Sequence, residues 1–147
     1  HMLRFIIPCA LFALPLLAQA ENLHLSDLKS QNAVQLTADD LRQLMAGAKI
    51  AHHNDAGSLR RWTNEPDGKF VASSDVHRDP GRIGKTKSSG GRGTWHIGDN
   101  ATYCVAIEWP ERSENWCRYI FKAGDKYYGV KSLVDGAGIA SEFEISR

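Results

Sequence analysis

The chain has 147 residues, of which 42% are hydrophobic and 24% are charged, with 18 Lys and Arg against 17 Asp and Glu. This balance excludes a disordered acidic or basic tail, a collagen-like repeat and a long coiled coil. It also argues against a dedicated nucleic-acid-binding protein, because such proteins carry a clear basic excess. The length suits one domain.

Residues 2–20 have the three parts of a secretory signal peptide. Arg4 supplies the positive start, Phe5–Leu17 is an apolar run, and Ala18-Gln19-Ala20 is a small-x-small cleavage site. The apolar run, about 13 residues, is too short to cross a bilayer, which takes about 20. A retained N-terminal anchor helix is the alternative.

We therefore expect two segments. Residues 1–20 are predicted to be a cloning residue, His1, followed by the signal peptide, and residues 21–147 a single β-rich domain of an exported protein that does not span the membrane. Removal of the signal peptide leaves two cysteines, Cys104 and Cys117. An even pair in an exported chain predicts one disulfide bond.

No metal ion or other cofactor is expected. His52, His53 and Asp55 are the nearest approach to a ligand cluster, but adjacent residues of a strand point to opposite faces. Free or metal-binding thiols are the alternative for the two cysteines, yet no further Cys or closely spaced His completes a zinc set.

The clearest local signal predicts a short helix over residues 38–46. Thr37 and Asp40 have the spacing of a capping box, and Leu36 and Leu41 that of a hydrophobic staple. Gly47 follows as a helix-ending residue. The segment before the helix, Glu21–Gln35, is weakly patterned, and we expect it to be extended.

After the helix, short segments rich in aromatic and β-branched residues alternate with turn residues. The strand candidates are Lys49–His53, Ser58–Thr63, Gly93–Ile97, Ala101–Trp109, Trp116–Lys122, Lys126–Leu133 and Ile139–Ile145. Turns about 8 to 12 residues apart are typical of a barrel or sandwich. The sequence predicts a mainly β fold: a single antiparallel β-barrel or twisted sandwich of about seven to nine strands, with one short N-terminal helix across an open end or a sheet face.

Two strand registers remain open around the cysteines. If Cys104 and Cys117 are directly opposed, Val105 pairs with Trp116, and Ile107 pairs with Glu114. A loop over the whole of residues 110–115 would shift this register.

A long basic loop is predicted over residues 73–93, which contain Pro80 and five glycines but few large apolar side chains. Between positions 60 and 92, eight basic and four acidic residues give a net charge of +4. The candidate binding residues of this loop are Arg82, Lys85, Lys87 and Arg92, which suit an acidic protein or another anionic surface. The alternative is a solvated connection whose charges only maintain solubility.

No catalytic residues are predicted. Gly84-Lys85-Thr86 lacks the first glycine of a phosphate-binding loop, because position 79 is aspartate, and no G-x-S-x-G motif occurs. Among the four tryptophans, Trp95 and Trp109 are candidate aromatic binding residues that would line a barrel cavity. Core packing is the alternative for both.

Three short motifs resemble the pattern of a group of small exported proteobacterial proteins of uncharacterised function. These are Leu36-Thr37 before the helix, the Pro66-Asp67-Gly68 turn, and Gly93-Thr94-Trp95 followed by the cysteine pair. The resemblance covers about residues 36–128. Gly93-Thr94-Trp95 is also similar to the G-x-W motif of lipocalins, which place it before the first barrel strand. The resemblance implies a small calycin-like barrel in the bacterial envelope, periplasmic or secreted, and carries over no catalytic residues.

These observations favour a non-enzymatic binding protein whose basic loop meets a protein or an anionic envelope partner. One alternative is an inhibitor of a lysozyme or protease that acts through a protruding loop. Another is a carrier of a small apolar ligand in the barrel interior. We expect no nucleic-acid partner and a monomeric chain.

Overall fold

The computed structural model describes residues 23–76 and 87–147, without the side chains of Val76, Lys87 and Ser88. The predicted signal peptide therefore lies outside the described residues. So do Arg82 and Lys85, two of the four predicted basic binding residues.

Eight antiparallel strands close into one barrel, which confirms the predicted fold class and selects the barrel over the sandwich. They are β3 (Lys49–His53), β4 (Leu59–Thr63), β5 (Lys69–Val76), β6 (Lys87–Ile97), β7 (Tyr103–Glu108), β8 (Ser113–Ala123), β9 (Lys126–Val130) and β10 (Ile139–Ser146). Each strand pairs with the next along the chain, and β10 pairs with both β9 and β3. The connectivity is that of an up-and-down barrel.

The predicted helix is present as α2 (Ala38–Met45), and both hydrogen bonds of its capping box form between Thr37 and Asp40. Hydrogen bonds from the amide and the side chain of Thr37 to the Asp40 carboxyl hold the pKa of that carboxyl below its usual value. Leu41 and Met45 are fully buried in the barrel core. Met45 meets Asn64, which follows β4, so α2 covers the end of the barrel that carries the β4–β5 turn. We call this the helix end and the opposite end, with the β3–β4 and β7–β8 turns, the loop end.

The prediction of an extended segment over residues 21–35 was wrong, because a second helix, α1 (Leu25–Ser30), lies there. Two-residue strands flank it: β1 (Leu23–His24), which pairs with β10, and β2 (Val34–Gln35), which pairs with β8. Leu25 and Leu28 lie one turn apart and are fully buried. They form a second apolar cluster with Phe121 and Val130 on the outside of the barrel. We infer that the segment is helical because a helix buries both leucines on the same face.

The long loop predicted over residues 73–93 was wrong at 73–76 and 87–93, which are strands, while residues 77–86 lie outside the described residues. β5 and β6 pair continuously from Lys69 opposite Thr94 to Val76 opposite Lys87. The glycines of β6 leave space for large neighbours: a Cβ on Gly91 would lie 2.7 Å from Cε3 of Trp109. Glycine within a strand here marks close approach of another side chain, as in other sheets.

The disulfide settles the register between β7 and β8. Cys104 and Cys117 are bonded and directly opposed, so Val105 faces Trp116, and Ile107 faces Glu114. The chain reverses over residues 109–112 rather than 110–115, closed by a hydrogen bond from the Trp109 amide to the Arg112 carbonyl, 2.8 Å. Directly opposed cysteines were the first of the two predicted registers.

Candidate functional site

The helix end of the barrel contains a buried polar cluster whose hydrogen bonds are complete. The Tyr103 hydroxyl donates to Oδ1 of Asn64 at 2.6 Å, and the Trp62 indole donates to both residues at 3.0–3.1 Å. Burial raises the pKa of the Tyr103 hydroxyl, which therefore stays protonated and remains a donor. This cluster fixes the aromatic core and satisfies its own polar atoms.

A second polar cluster lies inside the barrel near the loop end. The alternation of β3 and β4 turns His52 and Arg60 inward, directly opposite each other, in line with the core residues Ile50 and Trp62. Across the barrel, Glu114 of β8 forms an ion pair with the Arg60 guanidinium. Arg60 is only 2% exposed, so this charge pair belongs to the interior.

Trp109 completes this interior ion pair. Its indole Nε1 donates to Oε1 of Glu114 at 3.0 Å, and the Arg60 guanidinium carbon lies 4.6 Å from the centre of its ring. The missing side chain of Gly91 leaves the space that the ring fills. Arg60 is thereby held by one carboxylate and one aromatic face.

His52 lies among aromatic rings. Its imidazole stacks on Phe143 with the ring centres 4.7 Å apart, and the rings of Trp62 and Trp116 are nearly perpendicular to it, with centres 5.4 and 5.6 Å away. Burial lowers the pKa of His52 to about 4, an effect to which the nearby Arg60 charge adds. The ring is therefore neutral at neutral pH.

Two buried nitrogen atoms of this cluster have no hydrogen-bond partner among the described residues, namely Nε2 of His52 and Nε of Arg60. Both residues line a cavity of about 90 Å³ at the loop end, together with Glu114, Trp116 and Phe143. Such atoms normally have partners in folded proteins, and an exception calls for an explanation. The cavity has room for about three water molecules or a small solute.

Arg118 and Asp55 lie at the rim of this cavity. The Arg118 guanidinium carbon is 5.1 Å from the centre of the Trp116 ring, and its Nη1 donates to the Cys117 carbonyl at 2.9 Å. Burial lowers the pKa of Arg118, while the charges of Asp55 and Glu114 oppose that shift. The Asp55 side chain is 91% exposed, so water screens its charge.

The residues predicted from sequence do not form one site. Lys87 and Arg92 lie in β6, which corrects their assignment to a loop, and Arg92 is exposed on the outer face. Trp95 is at the helix end, where its indole donates to the Glu65 carbonyl at 2.8 Å. Trp109 is at the loop end, so the two candidate aromatics lie at opposite ends of the barrel.

Arg92 borders a wide depression of about 1230 Å³ on the outer face of β3–β8. Its outward-facing lining includes Arg61, Lys69, Val71, Thr94 and Glu108. Charges of both signs occur there, and the depression is open to water. The interior cavity is much smaller, but buried charge lines it, and so do both residues whose buried nitrogen atoms lack partners in the described parts of the chain.

Sequence reasoning missed His52, Arg60 and Glu114 as members of one site. The signal was present in the strand alternation, since His52 shares its face with Ile50, and Arg60 shares its face with Trp62. Polar residues at inward positions of a short strand indicate either a buried partner or a ligand. In the described ranges 23–76 and 87–147, no group of three or more His, Cys, Asp or Glu residues is placed to hold a metal ion.

Comparison with protein-family models, with curated proteins and with solved structures gave no significant match to this chain. Neither of the described helices has the length and apolar character that crossing a membrane requires.

Proposed function

We propose that this chain is an exported, non-enzymatic binding protein that holds a small polar solute inside the loop end of its barrel. The observation that carries the proposal is the pair of buried nitrogen atoms, His52 Nε2 and Arg60 Nε, which lack partners in the described chain and belong to residues lining one cavity. A polar solute would supply the missing hydrogen bonds. An exported location agrees with the disulfide, because such bonds persist in oxidising compartments.

The contrast between the two interior clusters supports this proposal. At the helix end, the polar atoms of Trp62, Asn64 and Tyr103 satisfy one another. At the loop end, two polar atoms remain without partners in the described structure, at a cost of about 1–3 kcal/mol each unless water or a ligand binds there. A binding site accounts for this cost, whereas a purely structural cluster does not.

The interior favours a polar ligand over the small apolar ligand of the carrier hypothesis. Trp62, Phe70 and Phe143 are almost completely buried and fill the middle of the barrel. The described cavity near them, about 90 Å³, is bordered by the charged groups of Arg60 and Glu114. An apolar solute there would desolvate these charges without replacing their hydrogen bonds.

Binding through the basic surface remains the second candidate. Of its four predicted residues, Arg92 alone has a described side chain, and this side chain is exposed. The inhibitor hypothesis depends on a loop within residues 77–86, outside the described residues, and stays a prediction. Deletion of residues 85–92 would remove part of β6, so substitution of Arg82 and Lys85 by Gln is the better test of surface binding.

Native mass spectrometry of the protein, isolated gently from its own source, tests the proposed function. We expect a stoichiometric small-molecule adduct on the wild-type protein. The His52→Phe variant keeps the aromatic stack but removes the acceptor nitrogen, and it should lose the adduct. Arg61→Gln, a change on the outer face next to Arg60, is the matched control and should keep it. A wild-type protein without an adduct, or an adduct that survives His52→Phe, would contradict the proposal.

A further inference from the structure

The backbone fixes which nitrogen of His52 is the hydrogen-bond acceptor. Nδ1 of His52 lies 3.2 Å from the carbonyl oxygen of His53. A carbonyl only accepts hydrogen bonds, so the proton of the neutral ring is on Nδ1, and Nε2 carries a lone pair. Nε2 of His52 therefore requires a donor, such as a hydroxyl group.

The unpartnered donor belongs to Arg60, on the strand paired with that of His52. Arg60 is the register partner of His52, which puts both side chains on the same inward face as neighbours. Its Nη1 binds Glu114, while the N–H of Nε has no acceptor among the described residues. This N–H requires an oxygen atom, and because the group is cationic, an anionic oxygen is the stronger partner.

Two arginines, Arg60 and Arg118, line the cavity together with two carboxylates, Glu114 and Asp55. Glu114 is already paired with Arg60, and the Asp55 side chain is 91% exposed, so water screens its charge. The cationic Nε donor of Arg60 is therefore the feature that suits an anion. Trp116 and Phe143 supply apolar wall for the carbon atoms of a ligand.

We propose that the ligand is a small hydroxycarboxylate, whose hydroxyl donates to Nε2 of His52 and whose carboxylate accepts from Nε of Arg60. This inference rests on the proposed function, because it names the ligand class of the same cavity. The cavity volume of about 90 Å³ limits the ligand to a few non-hydrogen atoms.

Calorimetric titration with three probes of similar size tests the ligand class. Lactate carries both groups, propionate lacks the hydroxyl, and 2-propanol lacks the carboxylate. We expect lactate to bind wild-type protein about tenfold or more tightly than either of the others, the usual effect of leaving one buried polar atom unpaired. In His52→Phe, lactate and propionate should bind equally, while Arg61→Gln, on the outer face next to Arg60, should retain the wild-type preference.

A second readout does not depend on the variant. Long-range ¹H–¹⁵N spectra of the wild-type imidazole should show the Nε2 resonance of His52 shifting when lactate is added but not when propionate is added. Equal binding of lactate and propionate to the wild-type protein would refute the hydroxyl contact with His52. The cavity would then be a binding site for anions in general. A native adduct with no binding of any probe would overturn the ligand class alone. Absence of both would overturn the proposed function as well.

Discussion

The guanidinium of Arg60 pairs with the carboxylate of Glu114 inside the barrel, although the two residues are 54 positions apart in the sequence. The Arg60 side chain is 3% exposed and the Glu114 side chain 22%. The charges are thus largely withdrawn from water, and each is compensated mainly by the other. Removal of one partner leaves a buried charge without compensation, which is far more costly than removal of both.

We therefore expect Glu114→Leu to lower the free energy of unfolding by about 3 kcal/mol, measured by urea denaturation. The double variant Arg60→Leu/Glu114→Leu should recover most of this loss, because no unpaired charge remains. Glu108→Leu, on the outer face of the neighbouring strand, is the control and should change stability by less than about 0.5 kcal/mol. A double variant as unstable as Glu114→Leu would show that the ion pair itself stabilises the barrel.

The parts of the fold that could be predicted from the sequence depend on local signals. The capping box at Thr37 and Asp40 specifies α2 within a few residues. One of the two registers proposed around the cysteine pair is the observed one. α1 was missed because its six residues are too few to show a period. Only the burial of Leu25 and Leu28 against distant strands reveals it.

The site was harder to predict for the same physical reason. Gly91 looks like a loop residue until Trp109, which directly follows β7, is seen to fill the space above it. Glu114 faces Ile107 in one predicted register and falls in a loop in the other, and only the closed barrel brings it to Arg60. A sequence pattern records which face a residue occupies, but the partner across the barrel depends on closure.

The stability of the protein should depend on the protonation of His52. Its pKa is lowered to about 4 in the folded state, against about 6.5 in the unfolded chain, so the unfolded state binds the proton more readily. The contribution of His52 to the free energy of unfolding is therefore complete above about pH 6.5. It falls by about 3 kcal/mol as the pH drops toward 4.

Urea denaturation at several pH values checks this, with His52→Phe as the comparison. Carboxylates also titrate in this range, so the informative quantity is the difference between wild type and variant. Between pH 7 and pH 4, the wild-type protein should lose about 3 kcal/mol more of its free energy of unfolding than the variant does. His96→Gln, at an exposed position, should follow the wild-type curve. Parallel curves for wild type and His52→Phe would refute the assignment.

The polar cluster at the helix end should be a stability determinant without a role in binding. Asn64→Leu removes the acceptor for both the Trp62 indole and the Tyr103 hydroxyl, although these two still contact each other at 3.0 Å. We expect a loss of about 2 kcal/mol in thermal or urea unfolding, with lactate affinity unchanged in the variant while it stays folded. A change in affinity at unchanged stability would show that the two clusters are coupled.

Gly91 should be required for the packing of Trp109 against Arg60 and Glu114, two residues that line the cavity, whereas its neighbour Gly90 should not. A Cβ at position 91 would lie 2.7 Å from Cε3 of Trp109 and 2.9 Å from Cγ2 of Ile107, both in the packed interior. Gly91→Ala is therefore expected to displace the Trp109 ring from Arg60 and Glu114. The expected loss of stability is about 1–3 kcal/mol, with a change in tryptophan fluorescence and weaker lactate binding.

Gly90→Ala is the matched control in the same strand. Its added Cβ would meet only the Ala72 carbonyl oxygen, at 3.8 Å, which is an ordinary contact. Stability, fluorescence and lactate binding should therefore stay near the wild-type values. If Gly91→Ala behaves like Gly90→Ala, the position of Trp109 against Arg60 and Glu114 does not depend on the missing side chain of Gly91. If both variants lose stability equally, the loss belongs to the strand backbone rather than to the contact with Trp109.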